Sequence, residues 1–179
     1  MRLIDFTQQN SLRTYIEDNT FDPWVGTGLE GYVFLGSKKQ GAYGERFMSE
    51  FLESIGLVVQ SPVNPGHDRI VTGVRTEFKF SVAKRDCKKQ CINEDAFTFN
   101  HLAVKKDWER VILCGMNPGM SHMIWFTKQD FIDELALDKP LFKRQQGGKD
   151  GGNDDWCLAS ALAFRRLLDR PYIRQIHEW

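Results

Sequence analysis

From Val74 to Ser81 the chain reads V-R-T-E-F-K-F-S, a strict alternation of two residue sets. Val74, Thr76, Phe78 and Phe80 share one face of an extended strand, and Arg75, Glu77, Lys79 and Ser81 the other. A second extended run, H-D-R-I-V from His67 to Val71, precedes it, and Thr72-Gly73 between them is a turn pair flanked by β-branched residues. The pattern predicts a hairpin with Val71 opposite Val74, Ile70 opposite Arg75, Arg69 opposite Thr76 and Asp68 opposite Glu77.

Helical spacing is strongest over 42–55. There Phe47, Met48, Phe51, Leu52 and Ile55 form one arc, Glu50 and Glu53 lie opposite, and Gly56 supplies a stop. Glu45 sits at the edge of that arc. A carboxylate leaning toward a core wants a partner or a metal; pairing with Arg46, or simply snorkelling to water, is the other reading. Asn10 or Ser11 caps an earlier helix carrying Leu12, Tyr15 and Ile16. Between the two, Gly26, Gly28, Gly31 and Gly36 alternate with Trp24, Leu29 and Tyr32, which predicts an arm packed on the core, with dimerisation as a role. No strand leads into Gly26-Thr27-Gly28, so it is no dinucleotide fingerprint.

Further along, 57–60 reads as a strand and 95–102 as a second core helix, although Thr98 and the aromatic residues also suit a strand. The continuous apolar centre of 108–115 predicts a buried strand, Asn117-Pro118-Gly119 a turn, and 122–126 a return strand. Thr127 is an N-cap with Asp130 at the third helical position, and Phe131, Leu135 and Ile132 give that helix its inner face. A helix over 156–168 carries Leu158, Leu162, Phe164 and Leu167, and 172–179 docks as a tail. No internal repeat is present. The order predicts an α/β fold: an arm over 1–41, a core over 42–137, and a loop with a C-terminal helix over 138–179, within one domain.

Composition narrows this picture little. With 179 residues, 41% hydrophobic and 27% charged, the chain suits one ordinary globular domain. No apolar run approaches the length of a membrane span, and the first ten residues lack the apolar core of a signal peptide, so a cytoplasmic location is expected. Cys87, Cys91, Cys114 and Cys157 make no disulfide framework, and Cys87-x3-Cys91 is half a zinc site with no matching second pair. The formal net charge is zero, which argues against a protein that merely coats nucleic acid. Basic residues nevertheless cluster. Lys84, Arg85, Lys88 and Lys89 follow the hairpin, Lys143, Arg144 and Lys149 lie in a late loop, and Arg165, Arg166, Arg170 and Arg174 come near the end.

The chemistry gathers at the hairpin. Asp68 and Glu77 would face each other across the ladder at about 5 Å, and Lys79 would follow on the face of Glu77, roughly 7 Å along the strand. Like charges that close are unfavourable unless a cation lies between them. A hard divalent cation such as Mg²⁺ takes one or two carboxylates and fills its other positions with water and phosphate oxygens. A neighbouring lysine can hold or deprotonate an attacking water, or offset charge growing on phosphoryl oxygens.

This Asp…Glu-x-Lys arrangement resembles the PD-(D/E)xK nuclease superfamily, which includes most type II restriction endonucleases; Gly66-His67 stand where the family places its proline. The resemblance covers roughly 42–137 and implies a restriction-endonuclease-like core, a mixed sheet flanked by helices in the order αβββαβ. It implies Asp68 and Glu77 as Mg²⁺ ligands, the Phe78 carbonyl as an additional oxygen, Lys79 at the attacking water, and Glu45 as a further acid, since Gly44-Glu45-Arg46-Phe47 resembles the family's first core helix. In-line attack would leave a 5′-phosphate and a 3′-hydroxyl. Cleavage of both strands of a palindromic site predicts a homodimer on double-stranded DNA, with a cognate DNA methyltransferase as functional partner. Lys84, Arg85, Lys143, Arg144, Gln145, Gln146 and Lys149 are the candidate DNA contacts, the glutamines suited to adenine edges and Arg144 or Lys149 to guanine. The segment 143–155 lacks any apolar residue, so it is either a DNA-contacting loop or a plain linker. The rival functions are a structure-directed repair or recombination nuclease of the same fold, a non-catalytic DNA-binding module, and a zinc-stabilised regulatory protein.

Overall fold

The computed structural model describes residues 20–145 and 154–179. The helix expected from Asn10 or Ser11 falls outside them, as do Gln146 and Lys149. Helix α1 spans Ser37–Ser54 and leads into β1 (Val59–Gln60), β2 (Arg69–Val71) and β3 (Val74–Val82). A connection carrying β4 (Lys84–Asp86), β5 (Cys91–Asn93) and β6 (Phe99–Leu102) precedes β7 (Arg110–Met116) and β8 (Ser121–Thr127). Helix α2 (Lys128–Leu135), β9 (Lys143–Arg144), β10 (Trp156–Leu158), α3 (Ala161–Leu168) and β11 (Arg174–Gln175) complete the order.

The main sheet runs β1-β2-β3-β7-β8-β11. Every neighbouring pair is antiparallel except β3 with β7, which is parallel. The fold is therefore α/β with a mixed central sheet. Its middle strand explains the apolar run in the sequence: Val111 and Leu113 of β7 join Ile124, Phe126 and Phe131 on one face, while Ile112 and Cys114 join Met48, Leu52 and Phe78 on the other. A strand covered on both faces needs apolar side chains at every position. Trp24, Leu29 and Tyr32 pack beside Phe80, Val82 and Met116, so the glycine-rich arm lies on the core.

Helix α1 begins at Ser37, ahead of the expected Ala42, and its buried stripe is narrower than expected. Gly44, Met48 and Leu52 are buried, but Phe51 and Ile55 are 37% and 46% exposed. Gly44 allows the helix to lie against β3, where an added Cβ would stand 2.4 Å from Cβ of Phe80. Gly56, at φ 91°, ends the helix. Its N–H donates to Glu53 and that of Leu57 to Leu52, the pairing of a Schellman stop.

The second core helix expected over 95–102 is absent, and this corrects the αβββαβ order. Phe97 and Phe99 are buried at alternate positions, a period of two, and β6 pairs with β10. Side chains from elsewhere hold the segment extended: Ser81 Oγ accepts from the Thr98 N–H, and Asn117 bonds both the Asp95 N–H and its carboxylate. A second correction concerns 156–168. Its first residues form β10, and the helix begins only after Ser160, whose hydroxyl caps Ala163 N–H. Leu162 is exposed there, while Phe164 and Leu167 are buried. Helix α2 carries the expected Thr127–Asp130 capping box. Its inner face differs: Ile132 is exposed, and Glu134 is buried instead, paired with Arg170 and bonded by the Tyr172 hydroxyl, each at 2.9 Å. Among the described residues, no helix is long and apolar enough to cross a membrane.

Candidate active site

The hairpin between β2 and β3 forms in the expected register. Thr72 and Gly73 take φ of 48° and 83°, the left-handed pair that a two-residue turn between twisted strands requires. One step beyond the ladder, the Asp68 N–H donates to the Thr76 carbonyl, which sets Asp68 beside Glu77. Asp68 Oδ2 accepts from the Phe78 N–H at 2.8 Å, and Oδ1 has no such bond among the described residues. Glu77 lies on a strand with neighbours on both sides and is fully buried. Lys79 Nζ, two residues along the same face, is 2.6 Å from Glu77 Oε1.

A residue that sequence reasoning missed completes the cluster. Lys106 Nζ lies 2.8 Å from the same Oε1. It belongs to the turn between β6 and β7, held in place by several bonds. The Asp154 carboxylate accepts from Val104 N–H at 3.0 Å and Lys105 N–H at 2.6 Å. Lys128 Nζ donates to the Lys106 carbonyl. Burial alone would push the Asp154 carboxyl up, but its bonds from Lys105, Val104 and Trp156 hold it below the usual carboxylate range. In sequence, Lys105-Lys106-Asp107 looks like any solvated turn.

Glu45, Asp68, Glu77, Lys79 and Lys106 line one cavity of about 290 Å³. Burial, then the charge of Glu77, raises the Asp68 carboxyl above its ordinary range, and the Phe78 N–H offsets part of that rise. Burial, then the charge of Asp68, likewise raises Glu45. Glu45 is not paired with Arg46, which bonds Glu50 at 2.7 Å; it faces Arg69 at 3.5 Å. Glu77 Oε2 is buried with no hydrogen-bond partner among the described residues, which suits a cation of oxygen preference. Among the described residues, no three His, Cys, Asp or Glu side chains form a ready-made metal group. Mg²⁺ needs only one or two carboxylates, so the pair Asp68 and Glu77, with the Phe78 carbonyl and Glu45 near, fits it.

The candidate DNA contacts scatter more widely. Lys84 and Arg85 line a second cavity that shares Tyr32, Gln40, Phe80, Thr98 and Asn100 with the first. Arg85 bonds the Phe21 carbonyl and covers the Phe34 ring. Lys143 and Arg144 are exposed on β9 and do not line the carboxylate cavity, and Arg144 lies over the Trp156 ring. Gln145 accepts from the His101 N–H. His67, beside Asp68, is buried, and neither ring nitrogen has a partner among the described residues.

No family model matches the chain, and no curated protein matches it.

Proposed function

We propose that the protein is a Mg²⁺-dependent endodeoxyribonuclease of the restriction type, hydrolysing phosphodiester bonds of double-stranded DNA at a specific sequence. One observation carries this reading: buried Glu77, with one oxygen held by two lysines and the other unpartnered, stands beside Asp68, whose ionisation its surroundings disfavour. Such a charge pattern supports a divalent cation and a phosphate as the site's ligands.

Asp68 and Glu77 would hold Mg²⁺, aided by the Phe78 carbonyl, with Glu45 as a further acid at the rim. The ion would supply Lewis acidity and a water of lowered pKa. Lys79 would orient the attacking water and offset charge on the phosphoryl oxygens. Lys106 adds a second positive group for the phosphate. Two such sites, one per protomer of a homodimer, would serve the two strands of a palindrome, and a cognate methyltransferase would protect host DNA.

A second reading has its own support. Two lysines on Glu77 also describe a self-neutralised cluster, as a DNA-binding module without catalysis would have. Incubating the purified protein with unmethylated plasmid, with Mg²⁺ or with EDTA and alongside Lys79→Ala, separates them. Discrete fragments that need Mg²⁺, reduced about 100-fold or more in the variant, are expected. Cleavage of junctions or flaps alone would shift the assignment to a structure-directed repair nuclease. Binding without cleavage of any substrate would leave the second reading.

A further inference from the structure

Strand β6 is irregular at the edge of the carboxylate cavity. Leu102 pairs with Trp156 and Phe99 with Leu158, so Asn100 and His101 together oppose Cys157 alone, which is a β-bulge. His101 has φ 60°, left-handed backbone that residues with a Cβ seldom adopt. Its N–H donates to Gln145 Oε1 at 3.2 Å, and its Nδ1 lies 3.2 Å from Asp155 Oδ2. The ring is exposed, and His101 lines the same cavity as Asp68, Glu77, Lys79 and Lys106. Bulges and left-handed residues are found where a fold re-aims a side chain for use. With Nδ1–H donating to the Asp155 carboxylate, Nε2 is the ring atom left to exchange a proton.

We propose that His101, oriented by Asp155, is a catalytic residue: the general acid that protonates the departing 3′-oxygen. This rests on the nuclease reading above. As the water oxygen bonds to phosphorus, the P–O3′ bond breaks and its electron pair stays on O3′, which takes the Nε2 proton. The attacking water gives up a proton to solvent, and neutral His101 regains one from solvent. The products are a 5′-phosphate and a 3′-hydroxyl. The division of labour follows from placement: Lys79 is tied to Glu77 on β3, whereas His101 enters the same cavity lining from a different sheet.

The test uses a leaving group that needs no acid. Once cleavage has been mapped, duplexes are made with the scissile 3′-oxygen either kept or replaced by bridging sulfur, since a thiolate departs unprotonated. His101→Asn is the variant, because asparagine tolerates left-handed backbone. It is expected to lose about 100-fold on the oxygen linkage and less than about threefold on the sulfur linkage, with DNA affinity in EDTA unchanged. Asp155→Asn should fall between variant and wild type on oxygen alone. Equal losses on both linkages, or no loss on oxygen, would overturn the acid role while leaving the nuclease intact. A wild type that binds these duplexes and cuts neither would overturn the nuclease reading and this one with it.

Discussion

Glu77 gives a single oxygen to two ammonium groups, at 2.6 Å from Lys79 and 2.8 Å from Lys106, while wholly buried. Withdrawing a carboxylate from water costs several kcal/mol, and pairing is what makes the burial tolerable. Lys106 is 38% exposed, so its share is smaller than a fully buried partner's. Lys106→Met is expected to lower stability in EDTA by about 1–2 kcal/mol and to enlarge the rise in Tm that MgCl₂ produces, because one competitor for Glu77 is gone. Thermal melts with and without MgCl₂ check both; a variant with unchanged melts in each condition would show that Lys106 does not neutralise Glu77. Asp68, Glu77 and Lys79 were legible in the sequence because strand periodicity and a Thr-Gly turn fix which residues share a face. Lys106 and His101 were not. Their places depend on partners far along the chain, Asp154, Asp155 and Gln145, which no local pattern announces.

At the level of elements, α1 brings Glu45 to the cavity only because Gly44 lets it lie close to β3. A Cβ at 2.4 Å from Cβ of Phe80 cannot be accommodated without moving helix or strand, since the obstacle is the root of a packed side chain. Gly44→Ala is expected to cost about 2 kcal/mol, or about 6 °C in Tm, with a loss of cleavage larger than the loss of folded protein. A variant as stable and as active as wild type would mean that α1 and β3 have slack. The helix itself, its glycine stop, the hairpin and the α2 capping box were all readable, because each is specified within a few residues. The 95–102 segment was not. Phe97, Phe99 and Leu102 fit both periodicities, and bonds from Ser81 and Asn117 decide between them. The Trp156 end of the last helix failed similarly, because pairing with β6 and β9 overrides local preference there.

At the scale of the whole molecule, four carboxylates with displaced ionisation form two pairs with opposite effects on folding. Asp95 and Asp154 are held below their ordinary range: burial acts against this, but bonds from Arg165 and Asn117, and from Lys105 and Val104, prevail. They add stability above the unfolded chain's carboxylate pKa, and lose it as pH falls through their lowered values. Asp68 and Glu45 are raised, by burial first. The native state holds their protons more tightly than the unfolded chain does, so their contribution declines as pH rises from the ordinary carboxylate range through the raised values. Asp68→Asn removes one such group and leaves an oxygen for the Phe78 N–H. Across melts from about pH 4 to about pH 8, the variant should gain on wild type as pH rises in EDTA, and lose that gain when MgCl₂ stabilises wild type alone. A constant difference at every pH would show that Asp68 is not strained by its site.

The crossover from β3 to β7 also has a consequence in time. These strands lie side by side, yet the chain between them first lays out β4, β5 and β6, and Lys106 comes close to its end. Contacts between distant parts of a chain form slowly, because the loop must close before they repay it. Asp68, Glu77 and Lys79 meet early, within one local hairpin. Lys106 and His101 arrive only when the long connection has settled and 154–155 have clasped it. Folding thus carries an interval in which the hairpin holds Asp68, Glu77 and Lys79 together while Glu77 still lacks its second ammonium partner.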